Sequence, residues 1–326
     1  MNVIGIDVSK DKLDCLWLRD SATGKIKTKI FKNQSGDHTG LVAWAVKNLN
    51  CDVAAILFVM EATGIYHEAL AYSLYEAGAQ VAVVNPARIR DYAKALGCHT
   101  KTDKQDSDVI AHYGVTQQPR LWQPESVSVR TLKALLARLA AVEKDIQREE
   151  NRLEKATFSH ASADVVDSIG NMLSALSAEK QRLSQLIDAH IDNDPTLKND
   201  AELLKSIPGV EEVLSRYMAM TYRSRDFQSA SQMAAYLGVV PVAHESGSSV
   251  RGRPRMSKSG SGVIRAKLYM PAVVAMQHNK QARELYQRLL KNGKLKMAAI
   301  GAVMRKMVHV CFGVLKHQQS YSLQAA

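Results

Sequence analysis

Short apolar runs separated by polar turns dominate the first 120 residues of the chain. The runs have the length of strands, and the longer segments between them have the three-to-four spacing of amphipathic helices. Three consecutive strands favour an antiparallel meander, whereas the later strand-helix-strand units need right-handed crossovers and parallel pairing. We therefore predict a mixed sheet with helices on its faces, with strands at 2–7, 13–18, 25–31, 53–60 and 80–85 and helices at 38–49, 66–77, 87–96 and 103–115.

Four acidic residues stand where this arrangement could bring them together. Asp7 closes one apolar run and Glu61 closes another, so both are predicted at the carboxyl ends of buried strands. Asp103 and Asp106 are spaced to share one face of a helix, while Asp108 points away. Taken singly, such residues are more often turn and helix caps. Taken together, they could hold Mg²⁺ (or Mn²⁺) for a phosphoryl displacement.

One arrangement of the predicted strands would make two of these acids neighbours. If the first and fourth strands are adjacent, Asp7 and Glu61 lie side by side at one edge of the sheet. This is the layout of the ribonuclease H-like fold, whose nucleases and integrases carry acids at these positions. We take residues 1–120 as this α/β domain.

The rest of the chain is predicted to be helical. At 326 residues the chain should form two or three domains. Two long helices with spaced aliphatic residues predict an antiparallel coiled-coil hairpin at 125–195, although two ordinary amphipathic helices fit the spacing equally well. A mostly helical third domain is predicted at 200–326. The hairpin stripes are Leu132, Leu135, Leu139, Val142, Ile146 and Leu153, then Ile169, Met172, Leu176, Leu183, Leu186 and His190.

Excess positive charge is confined to the C-terminal part. From Gly247 to Lys316 the chain has 15 Lys and Arg against one acid, Glu284, for a net charge of +14; the remainder, with 28 basic and 31 acidic residues, has −3. Such one-sided loading indicates a polyanionic partner, and nucleic acid is the expected one.

A basic segment rich in serine and glycine, residues 245–262, concentrates this charge. Glycines let a backbone approach a phosphate and serines donate hydrogen bonds, so the segment has the composition of a phosphate-binding loop. A disordered basic linker has a similar composition. The predicted nucleic-acid contacts are Arg251, Arg253, Arg255, Lys258, Arg265 and Lys267.

Other classes of protein find little support in the residues. The four cysteines form no C-x-x-C pair, so neither a zinc site nor a disulfide framework is expected. No apolar run approaches the length of a membrane helix and no signal peptide is evident, so we expect a cytoplasmic, nucleoid-associated protein with no membrane partner. His99 and His112 lie beside the Asp pair, but ordinary surface or core histidines are the simpler interpretation.

The chain resembles the DEDD-type insertion-sequence transposases, a group that includes Piv-like DNA invertases and bridge-RNA-guided recombinases. The resemblance covers nearly the whole length and few families join these motifs in this order. One departure is Glu211, where a helix-hairpin-helix loop usually has its second glycine, so a structural turn is expected there. The motifs are Ile4-Gly5-Ile6-Asp7 with Lys10 and Leu13-Asp14, Glu61-Ala62-Thr63-Gly64, Asn85-Pro86, Lys101-Thr102-Asp103 with Asp106, Ile207-Pro208-Gly209, and Glu245 to Gly252.

The resemblance implies a RuvC-like N-terminal domain and a C-terminal transposase domain. Its DEDD acids fall on Asp7, Glu61, Asp103 and Asp106, and its nucleophilic serine falls on Ser246. It further implies that the serine attacks a DNA phosphate to form a phosphoserine link while a metal held by the acids, apparently of a partner protomer, stabilises the transition state. Donor and target DNA, a structured bridge RNA and a homodimer or homotetramer are the implied partners.

Several alternatives remain open at the level of sequence. The acids could activate water in a metal-only RuvC-like nuclease or junction resolvase, with Ser246 a mere loop residue. A site-specific DNA invertase would act without RNA. A scaffold with a decayed site is disfavoured by the four intact acids, and an actin-like ATPase by the lack of a second phosphate loop.

Overall fold

The computed structural model of the chain describes residues 2–20, 25–98, 102–243, 245–246, 250–252 and 254–322. It divides into two compact units, one ending at Pro124 and one beginning at Glu125. Each unit has its own buried hydrophobic residues. The two units are described separately.

The first unit contains a five-stranded mixed sheet with strand order β3-β2-β1-β4-β5. β1 pairs antiparallel with β2, and β2 antiparallel with β3, whereas β1 pairs parallel with β4, and β4 parallel with β5. This is the ribonuclease H-like order, and it confirms the predicted mixed sheet. The first and fourth strands are adjacent, which is the condition under which Asp7 and Glu61 become neighbours. The strands are β1 Asn2–Val8, β2 Lys12–Asp20, β3 Lys25–Lys32, β4 Ile56–Glu61 and β5 Gln80–Val84.

Helices cover both faces of this sheet, as strand alternation requires. Ile4, Ile6, Phe58 and Met60 face one side and are fully buried in a cluster with residues of α1 and α2. Alternate strand residues face α3 and α4 in a second cluster. The helices are α1 Ser35–Leu49, α2 Glu68–Glu76, α3 Pro86–Ala95 and α4 Asp103–Gln117.

One predicted strand boundary was wrong. Residues Val53–Ala55, predicted as the start of a strand at 53–60, form a short 3-10 turn. Its cause is the Asp52 carboxylate, which accepts a hydrogen bond from Ala54 N and favours a turn over an extended backbone. The strand itself begins at Ile56.

Gly5 allows α4 to lie unusually close to β1. A methyl group on Gly5 would overlap the Ser107 carbonyl oxygen and the Ala111 nitrogen, and would lie 2.9 Å from Ala111 Cα. Gly114, one turn further along α4, lies against the side chains of Val59 and Val3, which leave no room for a methyl group there. The helix backbone therefore touches the strand directly, and this contact fixes the position of the N-terminus of α4 over the end of β1.

The second unit begins with a helical hairpin formed by α5, Val127–Phe158, and α6, Ala163–Asp192. The hairpin confirms the two predicted long helices, but the buried stripe is partly displaced: Met172 and Leu186 are 51% and 41% exposed, whereas Ile187 is fully buried. At the open end of the hairpin, Leu132, Leu136, Leu183 and Ile187 join the core of the following helices. The division of this unit near residues 195–200 stays a prediction.

The remainder of the second unit is a helical core with a small strand ribbon. Among the described helices, α12 has the length and apolar composition that could cross a membrane, but most of it is buried inside this unit, as expected of a core helix. The elements are α7 Pro195–Lys205, α8 Glu212–Arg223, α9 Ala230–Tyr236, β6 Pro241–Val242, β7 Glu245–Ser246, β8 Val250–Arg251, β9 Arg255–Met256, α10 Gly262–His278, α11 Lys280–Lys291 and α12 Lys296–His317.

The Gly5 contact leads to a stability prediction. Gly5→Ala should lower the free energy of unfolding by about 2–3 kcal/mol, because the methyl group must displace the backbone of α4. Urea denaturation measures this loss. Gly36→Ala is the matched control, since a methyl group there meets no atom of the described residues within 4 Å; a loss of stability as large in Gly36→Ala would contradict the interpretation.

Candidate active site

The four predicted acids lie at one edge of the sheet in the first unit. Ile6 of β1 is in register with Met60 of β4, so Asp7 and Glu61 occupy the next, equivalent positions on adjacent parallel strands. Asp7 and Glu61 point to the face covered by α4, because they continue the alternation of Gly5 and Val59, which contact that helix.

The N-terminus of α4 supplies the remaining two acids. Thr102 caps the helix by accepting a hydrogen bond from Gln105 N, and Asp103 and Asp106 stand in the first turn. Ser107, next to Asp106, is the residue whose carbonyl oxygen touches Gly5. The close contact of α4 with β1 therefore brings this first turn beside Asp7.

The electrostatics of Asp7 reflect this crowding. The pKa of Asp7 is raised from 3.8 to about 6, first because the carboxyl is partly buried and then because of the negative charges of Asp106, Asp103, Asp14 and Glu61. A carboxylate surrounded by like charges is disfavoured until a cation neutralises them.

Asp14 and Lys12 complete the cluster, and the sequence analysis did not assign either to the site. Asp14 lies directly opposite Asp7 in the β1–β2 pair and is only 9% exposed. Lys12 Nζ lies 2.5 Å from Asp103 Oδ2 and 3.1 Å from Asp14 Oδ2, which raises the pKa of Lys12 to about 12. The alternation Lys12-x-Asp14 on a strand next to Asp7 is the signal that could have identified them.

The donor set fits a hard divalent cation by its chemistry. All the candidate ligand atoms are carboxylate oxygens, which Mg²⁺ prefers, and their mutual repulsion is relieved by positive charge. Within the described ranges, no three His, Cys, Asp or Glu side chains are already gathered closely enough to hold an ion. The residues are thus of the right kind and in one place, but not drawn together around a single point.

Of the two histidines near the Asp pair in the sequence, His112 has its described ion pair outside the cluster. His112 Nε2 lies 3.8 Å from Asp108 Oδ1, one turn along α4, so its partner is the acid that points away from the site. His99 lies outside the described residues.

The serine-rich segment of the second unit is a strand ribbon at its described residues. β6 pairs with β9 and β7 with β8, both antiparallel, in place of the open loop or linker that its composition favoured. Ser246 is the last residue of β7, and its backbone lies opposite Val250 of β8. The side chains of Ser246 and Arg251, and the whole of Arg253, lie outside the described residues.

The predicted basic contacts divide into exposed and engaged side chains. Arg255 and Lys258 are exposed at the end of the ribbon. Arg265 Nη1 instead donates to three carbonyl oxygens at the base of the ribbon, those of Ser259 at 2.9 Å, Gly260 at 3.0 Å and Leu237 at 3.3 Å. Lys267 Nζ forms an ion pair with Glu143 at 2.7 Å. Further exposed cations follow on α11 and the next turn: Lys280, Arg283, Arg288, Lys291, Lys294 and Lys296.

A ribonuclease H-like sheet with acids from β1, β4 and α4 at one edge defines the class of divalent-metal phosphoryl-transfer proteins. Comparisons with known proteins agree. A protein-family model described as a DEDD transposase of the IS110 type matches residues 4–157, and one described as transposase of the IS116/IS110/IS902 family matches residues 201–287. The chain belongs to this IS110 family of DEDD transposases, which are enzymes that cut and rejoin DNA.

Similar curated proteins match this chain over different lengths. The pilin gene-inverting protein of Moraxella bovis is 30% identical over 320 residues, which are 98% of this chain and 97% of that protein. An uncharacterized 43.6 kDa protein of insertion element IS110 from Streptomyces coelicolor is 25% identical over 158 residues, 48% of this chain and 38% of that protein.

A solved structure of Thermus thermophilus RuvC also matches, at 15% identity and a TM-score of 0.27. The match covers 37% of this chain and 100% of that structure. The strand order, rather than this weak similarity, identifies the fold.

The charge coupling at Asp7 predicts a measurable titration. In the metal-free protein, Asp106→Asn should lower the pKa of Asp7 from about 6, because a neighbouring negative charge is removed. NMR titration of the Asp7 carboxyl carbon measures this change. Asp108→Asn is the matched control on the same helix, and an equal shift in that variant would contradict the assigned coupling.

The same shift fixes the direction of a pH effect on stability. Because the folded-state pKa of about 6 exceeds the reference value of 3.8, the native state holds more protons between these values. Asp7 therefore contributes most to stability at pH values below its reference pKa of 3.8, and this contribution is lost as the pH rises to about 6.

Proposed function

We propose that this chain is a metal-dependent DNA recombinase that moves an insertion sequence by cutting and rejoining DNA, with a covalent link to Ser246. The observation that carries the proposal is the placement of Asp7, Glu61, Asp103 and Asp106 at one edge of the sheet, with the pKa of Asp7 raised by burial and by the other acids. DNA is proposed as the substrate because the chain belongs to this transposase family. Ser246 is proposed as the nucleophile because residues 245–252 resemble the family motif.

The acids are proposed to hold Mg²⁺ or Mn²⁺. Asp7 and Glu61 offer carboxylates from adjacent strands, and Asp103 and Asp106 from the helix above them. When bound, such an ion supplies positive charge to the attacking and leaving oxygens of a phosphoryl transfer. Lys12 offsets only part of the negative charge, because its single ammonium group pairs with both Asp14 and Asp103. The five acids of the cluster therefore keep a net negative charge that favours a cation.

Ser246 is proposed as the nucleophile. Its Oγ forms a bond to a DNA phosphorus while the bond between that phosphorus and a deoxyribose oxygen breaks; the serine loses its proton and the released oxygen gains one. A serine hydroxyl is a weak nucleophile at neutral pH, so it needs the acidic cluster, which the resemblance places in a partner protomer. The covalent link retains the energy of the broken bond, so rejoining needs no ATP.

Exposed cations in the second unit are proposed to contact nucleic-acid phosphates. Arg255 and Lys258 stand at the ribbon that carries Ser246, and α11 presents a further row that includes Arg288 and Lys291. Arginine forks and lysine charges bind phosphate without reading sequence, so these residues position the strand. Arg265 and Lys267 are proposed to act one step away, by supporting the ribbon and α10 through their contacts within the protein.

An oligomer, a dimer or a tetramer, is proposed through the helical hairpin. Phe158 at its tip is 88% exposed, and Met172 on α6 is 51% exposed. Large apolar side chains at such positions are covered when helices associate. A second copy of the chain would also be the source of the partner acids.

Two substitutions test the covalent mechanism. With a DNA duplex that carries the element end, and with Mg²⁺, the wild-type chain should form a protein–DNA adduct that survives denaturing gel electrophoresis. Ser246→Ala should abolish the adduct and cleavage, while Asp7→Asn should lower both by about 100-fold or more, as expected when a main catalytic group is removed.

The controls separate the rival mechanisms. Ser248→Ala and Asp108→Asn should retain adduct formation, since neither residue belongs to the proposed set. Undiminished cleavage by Ser246→Ala, with loss in Asp7→Asn, would reject the covalent mechanism and leave a metal-only nuclease. Full activity in Asp7→Asn would reject the acidic cluster as the site.

Guidance by a structured RNA is a further part of the proposal. The basic residues of the second unit would bind the phosphates of RNA as well as those of DNA. The rival is a DNA invertase that acts without RNA, and the specific observation in its favour is 30% identity to a pilin gene-inverting protein along almost the whole chain.

Sequencing of copurified nucleic acid decides between these two. The protein is expressed together with the DNA that flanks its gene, and its bound RNA is sequenced with and without Arg288→Glu. A single structured RNA from the flanking DNA, reduced in the variant, is the expected result. Heterogeneous or absent RNA would favour the invertase.

A further inference from the structure

Asn33 connects two loops that adjoin the acidic cluster. It follows the last residue of β3, and its side-chain Nδ2 donates to the Ser9 carbonyl oxygen at 2.9 Å and to the Tyr66 carbonyl oxygen at 3.0 Å. Its backbone N also donates to the Asp11 carbonyl oxygen at 3.1 Å. One residue therefore holds both the β1–β2 turn, residues 9–12, and the loop after β4, residues 62–67.

His38 fixes the orientation of this amide. Its Nε2 lies 3.0 Å from Asn33 Oδ1, and the imidazole is buried, with 2% exposure, in α1. The two partners of Nδ2 are carbonyl oxygens that only accept, so Oδ1 is the acceptor atom that faces His38, and Nε2 must carry the hydrogen. The Asn33 side chain is thus held in one orientation by three hydrogen bonds.

Both loops held by Asn33 follow residues of the acidic cluster. Ser9 is two residues beyond Asp7, and the loop that contains Tyr66 starts directly after Glu61. The backbone pairing of β1 with β4 ends at Ile6 and Met60, immediately before these acids. Beyond this point each acid is paired only with its other neighbouring strand, Asp7 with Asp14 of β2 and Glu61 with Val84 of β5. A cross-link placed just beyond the acids therefore ties β1 to β4 where their own pairing has stopped, and limits how far the two acids can move apart.

The turn that Asn33 holds also carries Lys12. Ser9 N and Oγ donate to the Lys12 carbonyl oxygen at 3.0 and 2.9 Å, which makes residues 9–12 a closed turn. Lys12 in turn contacts Asp14 and Asp103. Movement of this turn would therefore alter the charge balance of the cluster as well as its width.

We propose that Asn33 is a positioning residue that joins turn 9–12 and loop 62–67 into a single rim around the acidic cluster. The proposal deepens the proposed function, since its effect on metal binding rests on that function. Neither the family motifs nor the acid spacing points to this residue, because its role depends on contacts between segments distant in sequence.

Amide hydrogen exchange and Mn²⁺ titration of the full chain test the proposal together. Asn33→Ala should accelerate exchange about tenfold in both segments, 9–12 and 62–67, and weaken Mn²⁺ affinity by a similar factor, the change expected from one net hydrogen bond. Asn33→Asp should act in the same direction, because a carboxylate cannot donate to the Ser9 and Tyr66 carbonyl oxygens.

Matched variants distinguish positioning from general destabilisation. Asn48→Ala removes an asparagine whose Nδ2 donates to Trp44 O at 2.6 Å, at the far end of α1, and should leave both loops and Mn²⁺ affinity unchanged. His38→Gln, which keeps an N–H donor, should remain closer to wild type than His38→Leu. This histidine pair carries the same test should Asn33→Ala fail to fold.

Two results would overturn the proposal. One is wild-type exchange in either loop of folded Asn33→Ala; the other is faster exchange with unchanged Mn²⁺ affinity. A wild-type chain that binds no Mn²⁺ would instead reject the proposed metal site, and the exchange measurement would still decide whether Asn33 holds the two loops.

Discussion

The direct contact of α4 with β1 is the constraint on which the candidate site depends. Only a residue without a side chain allows the helix backbone to touch the strand at Gly5, and Gly114 extends this contact towards Val59. Because the helix is rigid, the contact at Ser107 fixes the adjacent Asp106 and also Asp103, which lies one turn earlier. The packing contact that builds this part of the core therefore also positions the two acids of α4.

That assembly has an electrostatic cost, which the protein offsets only in part. Burial and like charges raise the pKa of Asp7, while the single ammonium group of Lys12 pairs with both the buried Asp14 and the exposed Asp103. Concentrating carboxylates in this manner costs stability, because each partly buried charge is repelled by its neighbours. The hydrogen bonds of Asn33 just beyond the strand ends oppose the tendency of the acids to separate.

The second unit serves a different physical task. Its core helices, among them α12, are apolar and buried, whereas α11 and the turn after it carry exposed cations. The ribbon with Ser246 is attached to this core by close backbone contacts: a methyl group on Gly238 would overlap the Ser259 carbonyl oxygen, and one on Gly260 the Tyr236 carbonyl oxygen. Both glycines also have positive φ angles, and Arg265 donates to carbonyl oxygens at the same place. A basic residue in a basic segment can thus be structural, and charge alone does not reveal which ones are.

The sequence by itself determined the elements of the first unit, the mixed character of its sheet and the places of the four acids at the ends of elements, because period and turn chemistry are local properties. It also identified the family, since the motifs occur in a fixed order. The strand order that makes Asp7 and Glu61 neighbours came from the tertiary structure. Only the tertiary structure decided three other features. These are the places of Asp14 and Lys12 at the cluster, the contacts of Arg265 with backbone carbonyl oxygens, and the hydrogen bonds of Asn33 to two loops. Each depends on a partner distant in the chain, and the hydrophobic pattern carries no information about which polar groups will meet.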